Sequence, residues 1–543
     1  MAFDTMRKDY EQRKAVAKPL TAGKFVKKED AVRLLETVIR PGDRVCLEGD
    51  NQKQADFLAK ALVSVDPAKV NRLHMVQSSI VLPEHIQVFE KGIATDLDFA
   101  FSGPQMKELY ELVVSRKAKI GAIHTYLEIY GRYFLDLYPQ VSLIVAEEAD
   151  QAGNLFTGFT TEDTPIIAEA THFRSGIVIA QVKKKVASVP RVDIPGDWVD
   201  YVIETGEDFW MQALFTRDPA RITDQQVLMA MMTIKGIYSE YNVGSLNHGL
   251  GFPTAAVELL LPTYGKELGI EGRACYDWVL NPHPTMIPAI EAGIARRVYA
   301  FGGEPGMEEY VKARPDVFCI GPDGNMRSNR CAAHMAGLYA IDAFVGATLQ
   351  VDRFGNSSTA IKGRISGFGG APNLGGTPPG RRHVTEAFTK AGYQENGVHY
   401  GRKLVVQLTP TKSEGKGIPV FVPELYAQTL YKEGLFPAPP IMIAGDQLTH
   451  VVTEVGIAYL DKARDLKTRM QAIAAVAGET EVGAMVSDKE RSDLRSRGIV
   501  KTPEDLEIDR GRATRELLAA KSLQDLIDIS GGLYKVPASI SQG

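Results

Sequence analysis

Apolar positions become periodic after about residue 24, where Lys28-Glu29-Asp30-Ala31-Val32-Arg33-Leu34-Leu35 spaces them along one face of an amphipathic helix. The turn Arg40-Pro41-Gly42-Asp43 breaks this pattern, since proline and glycine suit a corner. Arg44-Val45-Cys46-Leu47 then reads as a strand ended by Gly49, and Ala55 to Leu62 predicts the next helix. Ala94 to Phe101 reads as a further strand and Val141 to Ala146 as a buried one. Strands alternating with helices predict an α/β architecture, in which ligands sit outside the carboxyl ends of the strands. Chemistry is therefore to be sought in the loops that leave those ends.

The chain also echoes itself. Asp150-Gln151-Ala152-Gly153-Asn154 and Asp352-Arg353-Phe354-Gly355-Asn356 share the pattern D-x-x-G-N. Gly49 precedes Asp150 by 101 positions and Gly249 precedes Asp352 by 103, so turn and loop recur in order at nearly equal separation. Two ordered matches point to a duplicated domain. The expected division is an N-terminal arm over residues 1–24, one α/β domain over 25–240, a second over 241–457 and a helical C-terminal extension over 458–543. The boundary between the two α/β domains falls between about Lys235 and Ser245, after the apolar helical run Val227 to Ile237. Tyr459 to Ala477 and Ile508 to Ile529 are rich in Ala, Leu, Glu, Lys and Arg, which favours helices in the tail.

Composition narrows the function classes. A chain of 543 residues with 44% hydrophobic and 24% charged residues has length for two or three packed units. A formal net charge of -5 with scattered basic residues offers no footprint for nucleic acid. Cys46, Cys275, Cys319 and Cys331 lie too far apart for a zinc or redox motif, and no metal site is expected. No apolar run resembles a signal peptide or approaches a membrane span, so a cytoplasmic location is expected.

The densest chemical signal is Gly367-Phe368-Gly369-Gly370-Ala371-Pro372-Asn373-Leu374-Gly375-Gly376-Thr377-Pro378-Pro379-Gly380-Arg381-Arg382-His383. Glycines let backbone N–H groups approach a ligand closely, and consecutive amides form anion-binding nests. A solvated Gly/Pro loop explains the run equally well. Its spacing is neither a Walker A loop nor a dinucleotide fingerprint, which removes the usual support for nucleotide hydrolysis and hydride transfer. Arg381 and Arg382 suit a bidentate grip on a carboxylate. Asn247-His248-Gly249-Leu250-Gly251-Phe252-Pro253-Thr254 forms a second glycine turn entering an expected helix from Ala255 to Leu261, whose N-terminus would favour an anion. Asn154 and Asn356 either bond the backbone or point into a cleft. His124 reads first as a structural histidine, and the role of His283, between Pro282 and Pro284, stays open. No carboxylate pair marks a glycosidase and no H-E-x-x-H occurs.

The two glycine turns, the paired D-x-x-G-N loops and Thr449-His450-Val451-Val452-Thr453-Glu454-Val455 resemble the paired halves of coenzyme A transferases over roughly residues 25 to 480. The stretches around Gly367 to His383 and Tyr241 to Thr254 are similar to malonate decarboxylase alpha subunits, relatives of citrate lyase alpha subunits. The resemblance implies two tandem coenzyme A transferase-like domains. It also implies a transferase that converts acetyl-S-carrier protein and malonate to malonyl-S-carrier protein and acetate. The chain would bind no cofactor of its own. A carrier subunit would present a dephospho-coenzyme-A-like prosthetic group, decarboxylase subunits would complete the complex, and free coenzyme A would fit the same cleft.

On this reading Gly367, Gly369 and Gly370 cradle the oxyanion or thioester, with Asn247 and Asn154 as orienters. Arg381, Arg382, Asn356 and Asn373 bind the dicarboxylate, while His248, Gly249, Gly251, Gly375 and Gly376 meet the carrier arm. One departure matters. Coenzyme A transferases carry a nucleophilic glutamate in an E-x-G setting of the second half, whereas the comparable stretch here, Tyr276-Asp277-Trp278-Val279-Leu280-Asn281-Pro282-His283, has none. Glu271 lies nearby in a pattern that does not match. Direct exchange in a ternary complex is therefore expected. The alternatives are a conventional transferase with a covalent glutamyl thioester and a non-catalytic assembly scaffold.

Overall fold

Residues 3–538 are described by the computed structural model, apart from 50–52, 214–217, 301, 323, 325, 327–330, 336–340 and 376–403. The first half is built on strands β1 (Arg44–Leu47), β2 (Leu73–Ile80), β3 (Ala94–Ser102), β4 (Lys119–Ile123), β5 (Val141–Ala149), β6 (Ile177–Lys185) and β7 (Tyr201–Glu204). They lie in the order β7-β6-β5-β1-β2-β3-β4, every neighbouring pair parallel. Parallel strands are covered on both faces, and their side chains sort accordingly. Val45, Leu47, Leu143, Val145, Ile177 and Ile179 enter one core, whereas Cys46, Ile144, Ala146, Val178 and Ala180 enter the opposite one. The strands expected from the sequence at 44–47, 94–101 and 141–146 are all present, the last two running on to Ser102 and Ala149.

The second half uses β8 (Ser245–His248), β9 (Asp277–Val279), β10 (Arg297–Tyr299), β11 (Ala343–Gly346), β12 (Leu404–Leu408) and β13 (His450–Val452), continued by the antiparallel β14 (Ile457–Tyr459) and β15 (Val500–Lys501). Their order is β10-β9-β8-β11-β12-β13-β14-β15. Both sheets are wound alike. The chain steps outward from β1 to β4, then returns to the far side of β1 to lay β5 to β7. It steps from β8 to β10, then returns to the far side of β8 to lay β11 to β13. The strands named here reverse once in each sheet, between β1 and β5 and between β8 and β11, and a crevice opens at the carboxyl ends of strands at such a reversal.

The two D-x-x-G-N loops are built alike. Asp150 Oδ1 accepts from the N–H groups of Ala152 and Asn154, and Oδ2 from Asn154 Nδ2 at 2.9 Å. Asp352 repeats all three bonds with Phe354 and Asn356. Gly153 and Gly355 turn the corner at φ +83° and +86°, a left-handed conformation that a Cβ would strain. Asn154 Oδ1 then accepts from the N–H of Gly196, and Asn356 Oδ1 from that of Gly445.

The ends of the chain are less separate than their composition suggests. The N-terminal arm forms a helix over Phe3–Ala17, tied down where buried Arg13 pairs with Asp43. In the tail, helix Leu466–Val476 packs on one face of the second sheet, while Leu506, Ile508, Leu518 and Leu526 pack on the other. The stretch Ile508 to Ile529, expected to be helical, holds 3-10 turns and only a short helix at Leu523–Ile529. The caps at Asp509 and Ser522 and the apolar contacts of its leucines outweigh helix propensity. Among the described residues no helix is long and apolar enough to cross a membrane.

Candidate functional site

The glycine-rich segment begins as a stitch between the halves. Ser102 N–H donates to the Ser366 carbonyl at 2.9 Å, and Ser102 Oγ to the Ile365 carbonyl at 2.7 Å. The N–H groups of Phe368 and Gly369 both donate to the Ala100 carbonyl, at 2.7 and 2.9 Å, so the segment runs along the carboxyl end of β3. Tyr126 N–H, in the first turn of helix Tyr126–Leu135, donates to the Gly369 carbonyl at 3.2 Å. Gly367 sits at φ +75°, and a Cβ there would come within 2.6 Å of the Ala100 carbonyl oxygen, so glycine permits the stitch.

A cavity of about 200 Å³ opens beside this stitch. Phe101 and Tyr126 line it from the first half. Asn247, His248 and Gly249 at the end of β8, Asn281 and His283 beyond β9, and Gly367, Gly369 and Gly370 line it from the second. It lies at the reversal between β8 and β11, since Gly346 and Ala347 at the end of β11 also face it. Gly249 donates to the Val345 carbonyl at 2.7 Å, and a Cβ on it would press against the Gly346 Cα at 3.2 Å. Glycine therefore lets the two strand ends meet. The described lining holds no carboxylate, lysine or arginine.

A buried ionised network stands behind this wall. Glu258, on helix Phe252–Leu260, accepts at Oε1 from His248 Nδ1 (2.9 Å) and at Oε2 from His283 Nε2 (2.8 Å) and Thr285 Oγ1 (2.5 Å). A carboxylate only accepts, so His248 donates from Nδ1, while its Nε2 shares a hydrogen bond with the Tyr238 hydroxyl (2.6 Å). Burial pushes the Glu258 carboxyl up, but the imidazoles of His283 and His248 prevail and hold it well below the usual range. The network fixes two rings that face the cavity.

The expected site residues divide into three groups. Gly367, Gly369, Gly370, Asn247, His248 and Gly249 come together at the cavity. Within that group the Gly369 N–H is spent on Ala100, while those of Gly367 and Gly370 donate to no described residue. Asn247 donates its Nδ2 to the Val279 carbonyl, and His248 has both ring nitrogens engaged, so it offers the cavity a ring rather than a free nitrogen. A second group supports the site from outside. Gly251 starts helix Phe252–Leu260, Gly375 packs against Phe344, and Asn373 is buried with Nδ2 unpartnered among the described residues.

Asn154 and Asn356 form the third group and correct the expectation of cleft-facing orienters. Neither lines the cavity, and both side chains are engaged at each end, Nδ2 by the aspartate of its own turn and Oδ1 by the N–H of Gly196 or Gly445. Arg381, Arg382 and Gly376 lie outside the described residues. Glu271 is half exposed, 4.0 Å from Lys266, and does not line the cavity, so it is no nucleophile there. His124 is a buried bridge from Asp98 (2.6 Å) to Glu128 (3.4 Å). Burial lowers its pKa, but the two carboxylates prevail and raise it. Sequence reasoning missed Glu258, Asn281, Tyr126 and His334 as parts of the site. Only the helical position of Glu258, ten residues after His248, carried a local signal.

Comparison with known proteins places this geometry in a family. Residues 2–542 match the family model "Malonate decarboxylase, alpha subunit, transporter". An acetyl-S-ACP:malonate ACP transferase of Malonomonas rubra is 57% identical over 99% of this chain and 98% of its own length. The solved structure of a Pseudomonas malonate decarboxylase hetero-tetramer in complex with malonate contains a chain that is 51% identical, with a TM-score of 0.94 over 98% of each chain. At 15% identity, a citrate lyase alpha subunit of Streptococcus mutans (TM-score 0.59, 87% of this chain and 86% of that one) and an acyl-CoA transferase of Escherichia coli O157:H7 (0.53, 80% and 87%) share the mixed α/β fold. The chain belongs to the malonate decarboxylase alpha-subunit family.

Proposed function

We propose that this chain transfers a thiol carrier from acetate to malonate, converting acetyl-S-carrier protein and malonate to malonyl-S-carrier protein and acetate. The reading is carried by the seam cavity, lined from both halves, edged by a glycine segment and free of carboxylates among its described lining residues. The 57% identical transferase supports the choice of substrates. Exchange proceeds without an enzyme acyl group. A malonate carboxylate oxygen attacks the acetyl thioester carbon, the carbon–sulfur bond breaks, and a mixed anhydride and a thiolate remain in the cleft. The thiolate then attacks the malonyl carbonyl, and acetate leaves with the bridging oxygen.

The protein's work is alignment and charge stabilisation. Reactants held in register gain effective molarities of about 10⁵ M or more. The N–H groups of Gly367 and Gly370 supply donors toward developing oxyanions, in a wall that Glu258 keeps rigid through His248 and His283. The carrier subunit's dephospho-coenzyme-A-like arm enters as substrate, beside the strand ends where Gly249, Gly367 and Gly370 line the cavity. Arg381 and Arg382 grip the distal carboxylate.

The alpha chain works beside carrier and decarboxylase subunits in the cytoplasm. Its halves, 25–240 and 241–457, descend from one duplicated unit, a reading supported by the matched sheet orders and the twin D-x-x-G-N loops. The test incubates purified chain with acetylated carrier and malonate, citrate or citramalate in turn, and weighs the carrier by mass spectrometry. Malonyl carrier forming with malonate alone is expected. An unchanged acetyl carrier with every acid would sink the reading and favour an assembly role.

A further inference from the structure

Asn281 lines the seam cavity with 5% of its surface exposed, and its Oδ1 has no hydrogen-bond partner among the described residues. Leaving a buried polar group unpaired costs about 1–3 kcal/mol, so packing alone favours an apolar side chain at such a position. The backbone around it is firmly held. The preceding Val279 carbonyl receives Asn247 Nδ2, Trp278 is fully buried, and His283 is tied to Glu258 at 2.8 Å. Pro282 and Pro284 restrict the chain further. A costly amide is thus presented at a fixed point of an otherwise largely apolar wall that includes Leu250, Leu280, Phe344 and Met442.

We propose that Asn281 is a substrate-contacting residue whose side-chain amide hydrogen-bonds the acyl oxygen of the thioester and steadies the oxyanion that forms there. The inference rests on the transferase reading and deepens it. An amide carries both a donor and an acceptor, so a half-turn about its last torsion brings the NH₂ group to a ligand oxygen. Neutral donors suit this place: the described lining offers no lysine or arginine, and the N–H of Gly369, in the same wall, is already committed to Ala100.

The test compares the purified full-length chain with Asn281→Ala and the near-isosteric Asn281→Asp, using acetylated carrier and malonate, with initial rates and melting temperature read in parallel. Loss of one oxyanion donor lowers kcat by about 10²–10³ in Asn281→Ala. Asn281→Asp falls lower still, because it sets a negative charge against an anion. The melting temperature of Asn281→Ala holds or rises, since an unpaired amide is removed, and that outcome separates substrate contact from a structural role. Rates within about twofold of wild type in both variants overturn the inference. So does a loss of rate in Asn281→Ala that tracks a fall in melting temperature while Asn281→Asp retains activity. If the wild-type chain itself fails to form malonyl carrier, the transferase reading has failed and not this assignment alone.

Discussion

The reversal points of the two sheets share one winding and differ in what fills them. In the first half the residue before the glycine is Glu48, fully buried, 3.4 Å from fully buried Lys53, with its Oε2 accepting the Val145 N–H at 2.8 Å. Thr164 hydrogen-bonds both members of this pair. In the second half the residue before the glycine is His248, whose carboxylate partner Glu258 stands one layer back on a helix, leaving the strand ends open to a cavity. Among the described residues, the first reversal thus carries a buried ion pair and the second a cavity. A matching topology sets where a site can lie, and the side chains at the strand ends decide which of the two places becomes one.

The largest effect expected from this contrast is on the closed side. Lys53→Met removes the ammonium 3.4 Å from buried Glu48 and lowers stability by about 3–5 kcal/mol, measured from the denaturant midpoint. The double variant Glu48→Gln/Lys53→Met recovers part of that loss. A Lys53→Met protein as stable as wild type would break the claim that the first crevice is held by its ion pair.

On the open side, Glu258→Gln removes about 1–3 kcal/mol near neutral pH. The folded carboxyl is held below its ordinary value of 4.5, so its contribution is complete above that pH and drains as pH falls through the folded value. Melting curves of wild type and variant therefore converge on acidification below about pH 4.5. A gap that stays constant down to strongly acidic pH would show that the ionised carboxylate is not the source.

The smallest effects test the likeness of the halves. Asn154→Ala and Asn356→Ala each cost about 1 kcal/mol, because each loses the bond that ties its turn to Gly196 or Gly445, and both keep the wild-type transfer rate. A reduced rate with an unchanged melting temperature in either variant would return that asparagine to the substrate.

Legibility in the sequence followed the range of the interactions. Strand 44–47 and the helix entered at the second glycine turn were readable because apolar spacing and glycine act over a few residues. The twin loops were readable as a motif, yet the motif alone left two roles for the asparagines. Two backbone partners distant in the chain, Gly196 and Gly445, decided between them. Tyr126 and Phe101 were not legible as site residues, since they reach the cavity only when the Gly367 segment crosses to β3.

The alternating α/β pattern, the repeat, the family likeness and the glycine segment as a place of close approach all came from the order of residues, because short-range spacing and backbone freedom are written residue by residue. Tertiary structure decided which reversal point is plugged and which is open, that the Gly369 N–H is committed, and that Glu258 and Asn281 stand at the wall. Those facts depend on groups tens to hundreds of residues apart sharing the same few ångströms, where burial and pairing set the energy of every polar atom.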